Sequence, residues 1–193
     1  KGLRRKIILK VLQKVDGFLV IGGLLSEISK KKRKKIVLNK PYEIIYPFYD
    51  NLELLNLPLK KDKNKFLFIG RLSEEKNILR TIDIFEELHK LNPKATLYII
   101  GDGPLRKKIL KKINGKEYFK YVGYTKNIQD YLKDAGFLLL LSKFDSFPVV
   151  TLEAMAAGVI PIVSDKVGSK ILIEKKWIIS LNKKNTKIAR HIW

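Results

Sequence analysis

A chain of 193 residues with 46% hydrophobic residues is long and apolar enough to bury a real core, which argues against a disordered segment. Cysteine is absent and histidine stands only at positions 89 and 191, so there are no disulfides and no thiolate or histidine ligand set for a metal. No apolar run approaches the roughly 20 residues that span a bilayer, and Lys1 is not followed by a signal-peptide core, so a cytoplasmic location is expected.

The formal net charge of +21 is unevenly spread, with thirteen basic against two acidic residues in 1–40. The run KKKRKK at 30–35 reads first as a solvated helix face. The sharper reading is attraction to a polyanion, either an anionic membrane surface or nucleic acid. Residues 1–48 hold a helical pattern from Leu3 to Val15, an apolar run GFLVIG (17–22), a basic helix and a second run EIIYPF (43–48). That is about one βαβ unit, too little for a core of its own, and it is expected to be the tail of one domain. Residues 49–64, rich in Leu, Lys and Pro, read as a connector.

From Lys65 one pattern repeats: a short apolar run, a turn, then a helical period. The runs are KFLFIG (65–70), ATLYIIG (95–101), FKYVGY (119–124), FLLLLS (137–142), IPIVS (160–164) and WIIS (177–180). Most are too continuous for half-exposed strands and predict a parallel sheet buried on both faces. Helices are expected over 77–91, with Ile78, Ile82, Phe85 and Leu88 on one face, and over 104–113, 128–134 and 149–157. Pro104 and Pro148 suit first turns, Asn127 an N-cap and Gly158 a C′ position. The fold class that follows is α/β, a doubly wound, Rossmann-like parallel sheet over 65–193, with a partial βαβ remnant of a second domain ahead of it.

Such a sheet binds ligands outside the carboxyl ends of its strands. After the first strand comes GRLSEEKN, in which Gly70 leads to Arg71 and Lys76, two cations flanking a turn into a helix N-terminus where an anion is stabilised. Either cation alone reads as a solvated loop residue. After the second strand comes GDGP, whose Gly101 and Gly103 allow close backbone approach; a plain tight turn explains it equally well. After the fourth strand, the loop 142–148 feeds a helix whose first N–H groups suit a diphosphate. Glu153 lies inside that helix, where its carboxylate suits a ribose diol, and Asp145 stands at the mouth. Each acid alone reads as a solvated or capping carboxylate, but together with Arg71 and Lys76 they read as a site. No P-loop, no G-x-S-x-G elbow and no H-E-x-x-H competes.

In this order and spacing, GRLSEEKN, IIGDGPLRKKI, YVGYTKNIQDYLKDAGFLLLLS and FDSFPVVTLEAMAAGVIPIVSD resemble the donor-binding C-terminal domain of GT-B glycosyltransferases of the GT4-type (glycosyltransferase group 1) family, over roughly 65–173. Residues 1–48 are similar to the end of that family's N-terminal domain, which carries the acceptor site. The last helix, ending at Trp193, is similar in position to the segment that returns towards it. The resemblance implies that Arg71 and Lys76 bind the donor diphosphate and that Glu153, second acid of an E-x7-E motif, holds the ribose. Asp145 stands where the motif has its first Glu, beside the transferred sugar, with the charge kept and the reach one methylene shorter. Ser146, Phe147, Pro148 and Val149 match the segment that offers N–H groups to phosphates and sugar, and Val122, Gly123 and Tyr124 match the loop bordering the base. Near Gly168 the family often has a Gly-Gly pair and a later Glu; here the sequence is VGSKILIE.

The function implied is retaining transfer of a hexose from a UDP- or GDP-linked sugar to a glycan or lipid-linked acceptor, without metal or cofactor, as in polysaccharide biosynthesis. Two alternatives stand beside it: a non-catalytic nucleotide-sugar binding module that needs a separate acceptor domain, and a sugar-nucleotide epimerase of the same fold. The implied partners are the donor, the acceptor, the missing N-terminal domain or a partner chain, and an anionic membrane touched peripherally through the basic N-terminal segment. Nucleic acid is disfavoured, because the segment lacks the aromatic and basic interleaving of single-strand platforms.

Overall fold

The computed structural model describes residues 7, 10–21, 39–47, 52–57 and 60–193, and the chain divides into two compact units, Lys1–Pro47 and Phe48–Trp193. In the first unit residues 10–14 are helical, and strands β1 (Phe18–Ile21) and β2 (Tyr42–Ile45) pair in parallel, Phe18 opposite Tyr42. The Lys40 ammonium donates to the carbonyls of Gln13 (2.8 Å) and Val15, satisfying acceptors that the end of the helical stretch leaves open. The basic run 30–35, expected to be helical, lies outside the described residues.

The second unit is built on a six-stranded parallel sheet of order β5-β4-β3-β6-β7-β8, the doubly wound arrangement expected. Its elements run β3 (Asp62–Ile69), α1 (Ile78–Leu91), β4 (Thr96–Ile100), α2 (Arg106–Ile113), β5 (Phe119–Gly123), α3 (Gln129–Leu132), β6 (Ala135–Leu140), α4 (Val149–Ala156), β7 (Ile160–Ser164), β8 (Ile178–Ile179) and α5 (Asn185–Ile192). Side chains alternate between two cores, because successive strand residues point to opposite faces. Phe66, Phe68 and Leu139 join Ile82, Phe85, Ile109 and Ile188 on the α1, α2 and α5 side. Leu67, Leu138 and Leu140 join Leu132, Ala154 and Val163 on the α3 and α4 side. Both faces are therefore covered, which is why β6 is buried at all six positions.

Three local expectations change. The connector ends earlier than 64, because β3 already begins at Asp62: its N–H donates to Asp134 O (2.8 Å), and Lys61 donates to the carbonyls of Leu132 and Lys133 (3.0 and 2.8 Å). Within the same segment Leu52–Asn56 forms a 3₁₀ turn, and Leu54, only 2% exposed, fills the second core. Asn127 is not an N-cap. Helix α3 starts at Gln129 without a side-chain cap, and the Asn127 N–H bonds instead to Thr125 Oγ1 (3.1 Å). Pro104 precedes α2 by two residues and Pro148 sits at the N-cap of α4 rather than inside it. Gly158 does end α4: with φ 74° it lets its own N–H reach Met155 O and the Val159 N–H reach Ala154 O, at 3.0 and 2.8 Å.

Candidate functional site

The sheet's order reverses between β3 and β6, and on the β3 side of that point a cavity of about 390 Å³ is lined by the carboxyl ends of β3 and β4, the segment after β5 and Glu153 of α4. Backbone geometry builds its floor. Gly70 N–H donates to Ile100 O (3.0 Å) and Gly101 N–H to Gly123 O (2.8 Å), drawing the ends of β3, β4 and β5 together. A Cβ on Gly101 would lie 2.0 Å from Gly70 O, so only glycine permits this approach. Gly103 serves packing as well: a Cβ there would lie 2.6 Å from Leu72 O, while Leu72 exchanges backbone bonds with Asp102 O and the Leu105 N–H. It does not line the cavity.

The cavity wall brings together Gly70, Arg71, Gly101, Tyr124 and Glu153 from four separate stretches of sequence. Glu153 is half-buried on α4, and burial away from water raises its carboxyl above the ordinary 4.5. Neither its carboxylate nor the Arg71 guanidinium makes a hydrogen bond or ion pair among the described residues, so two opposite charges line one cavity with their bonding capacity unused. Tyr124, 72% exposed, follows the left-handed turn at Gly123 (φ 84°) and stands at the rim. Val122 instead packs against the second core.

Lys76 and Asp145 are joined to each other by an ion pair and are not part of the cavity wall. The loops that carry them are tied at several points. Asn77, left-handed at φ 59°, donates from its side-chain amide to Leu141 O (2.9 Å), and the Lys143 N–H donates to Glu75 O (2.8 Å). On the other side the Asp145 N–H donates to Lys166 O (3.2 Å) and Gly168 N–H to Asp145 O (2.9 Å). Gly168 thus braces the Asp145 loop through its backbone.

Ser146 is exposed, Phe147 is buried, and Pro148 and Val149 open α4, which has no side-chain cap. An uncapped helix start leaves its leading N–H groups to an anion or to water. Thr151 Oγ1 and Ser169 Oγ bond each other at 3.0 Å in a buried setting, so Ser169 helps hold the first turn of α4. Sequence reading missed Asp102, Thr125 and Ile128, which also line the cavity. All three follow strand ends, and extending the strand-end rule by one or two residues past β4 and β5 finds the first two. Among the described residues no group of three or more His, Asp or Glu is placed to hold a metal ion, and no helix is long and apolar enough to cross a membrane.

The doubly wound parallel sheet is the fold of solved GT-B glycosyltransferases, and the cavity at its strand ends is walled by Arg71, half-buried Glu153 and exposed Asp102. The chain belongs to the family of glycosyl transferases group 1, whose model matches residues 54–192. It is 33% identical over 147 residues to an uncharacterized glycosyltransferase of Methanocaldococcus jannaschii, covering 70% of this chain and 34% of that protein. It is 31% identical over 115 residues to the amylovoran biosynthesis glycosyltransferase AmsD of Erwinia amylovora (57% and 32%). It is 30% identical over 142 residues to the alpha-monoglucosyldiacylglycerol synthase of Acholeplasma laidlawii (70% and 35%). Among solved structures, a point mutant of S. aureus TarM in complex with Fondaparinux, alpha-GlcNAc-glycerol and UDP matches with a TM-score of 0.78 at 23% identity, over 97% of this chain and 38% of that chain. The chain spans about a third of the length of the curated relatives it matches.

Proposed function

We propose that this chain supplies the donor side of a retaining glycosyltransferase, which transfers a hexose from a UDP- or GDP-linked sugar to a glycan or lipid-linked acceptor without a metal ion. The observation that carries the reading is the pairing of Arg71 with half-buried Glu153 on one cavity wall, each without a partner among the described residues. A nucleoside diphosphate satisfies both at once: its ribose hydroxyls donate to the Glu153 carboxylate, and its phosphates accept from Arg71. The uncapped start of α4 adds backbone N–H groups for the same phosphates. TarM's complex with UDP supports a uridine nucleotide in a sheet of this fold, and the diacylglycerol and amylovoran relatives support the two acceptor classes.

In this reading the barrier lies in the departure of the diphosphate from an oxocarbenium-like anomeric carbon. Arg71, Lys76 and the helix start oppose the charge that grows on the leaving group, and losing one such donor costs about 3 kcal/mol of transition-state stabilisation. The test is an assay of the intact protein with UDP- and GDP-hexoses, with and without EDTA, in which the anomeric configuration of the product is read by NMR. Transfer with retention that survives EDTA is expected, and it falls about a hundredfold in Arg71→Ala. Binding of donor with neither transfer nor hydrolysis makes the protein a binding module instead.

A further inference from the structure

The ion pair of Lys76 with Asp145 carries an inference that rests on the donor reading and goes beyond it. The position of Asp145 matches that of a sugar-facing acid, yet its carboxylate is engaged by the Lys76 ammonium, with side-chain exposures of 12% for the acid and 27% for the lysine. Neither partner is free to drift. The turn that carries Lys76 is anchored through Asn77 to Leu141 O and through Glu75 O to the Lys143 N–H, and Asp145 is held on its other side by Lys166 O and the Gly168 N–H. The pair therefore bridges the loop after β3 and the loop after β6, and the shorter aspartate keeps its carboxylate close to its own loop.

We propose that Asp145 is a positioning residue that acts through Lys76. It holds the ammonium between the two loops while no anion is present, and releases it to the diphosphate as negative charge builds on the departing group. An ammonium already satisfied by a carboxylate adds little to binding of the nucleotide in its ground state, and its contribution is realised when the leaving group outcompetes that carboxylate. A residue that touched only the transferred sugar would leave the affinity for a nucleotide without sugar unchanged.

The experiment titrates UDP and GDP, neither carrying a sugar, into the intact protein and into Asp145→Asn, Asp145→Glu, Lys76→Ala and the Asp145→Asn/Lys76→Ala double variant. It also measures the rate at which an acetylating reagent labels Lys76. Asp145→Asn is expected to tighten the preferred nucleotide about tenfold by freeing the ammonium, and Asp145→Glu to stay within about twofold of the parent. The tightening is expected to vanish in the Lys76→Ala background, and Lys76 labelling to accelerate several-fold in Asp145→Asn. An Asp145→Asn affinity equal to the parent's, or the same tightening without Lys76, overturns the inference. If neither nucleotide binds the parent, the donor reading fails instead. The labelling then decides for the pair alone, and an unchanged rate in Asp145→Asn overturns it.

Discussion

At Glu153 burial works against charge. Its carboxyl is raised above 4.5 by desolvation, so between the unfolded and folded values the native state binds more protons than the unfolded one, and stability falls as pH rises through that window. Glu153→Gln keeps the shape and removes the charge. At pH 7 it is expected to raise Tm by about 1–2 °C, with the gain disappearing near pH 4, while nucleotide binding weakens; melts at the two pH values, beside a titration, check this. A tightly built residue of the opposite kind is Gly101. Its missing side chain is what lets β4 meet Gly70, and Gly101→Ala is expected to cost about 2–4 kcal/mol in urea unfolding, because a Cβ collides with rigid backbone. That Gly101 and Glu153 lie at one cavity was legible in sequence, since an α/β sheet opens its crevice at the carboxyl ends of its strands and the helix after the fourth strand starts there. The Lys76–Asp145 pair was not legible, because sequence spacing says nothing of which of two loops 69 residues apart bends towards the other.

Among the elements, α4 does the most positioning. Both its ends were readable, from Pro148 and Gly158, but the contacts that hold its start are not printed in the sequence: the buried bond between Thr151 and Ser169 and the backbone ties of the loop before it. Thr151→Val leaves the Ser169 hydroxyl buried without that partner and is expected to cost about 1–3 kcal/mol. A Ser169→Ala change in the same background recovers part of the loss, a coupling that a double-mutant cycle in urea measures. Helix α5 shows the same limit of sequence reading. It was expected only as a last helix ending at Trp193, and the residue that ties it down, Arg80 of α1, donates to Asn185 Oδ1 (3.0 Å) and to the carbonyls of Leu181 and Lys183 (2.8 Å each). The two misread elements failed for different reasons: in the connector over 49–64 the distant Asp134 carbonyl draws Asp62 into β3, whereas at Asn127 a local bond from its N–H to Thr125 Oγ1 forms and α3 starts only at Gln129.

At the scale of the second unit, the parallel sheet and its two cores follow from one feature visible in the sequence, the alternation of continuous apolar runs with helical periods. The net charge of +21 adds a long-range pull on any anionic ligand. Association of a nucleotide is therefore expected to slow as salt rises from about 0.05 to 0.5 M, a trend stopped-flow fluorescence reads directly. In the proposed reading the cavity between β3, β4 and α4 holds a nucleoside diphosphate sugar. A crystal structure of the intact protein soaked with UDP- and GDP-hexoses tests it most directly. The claim predicts ribose hydroxyls within hydrogen-bond reach of Glu153, phosphates on Arg71 and the first N–H groups of α4, and the base beside Tyr124. A nucleotide sugar bound elsewhere, with Arg71 and Glu153 untouched, contradicts it.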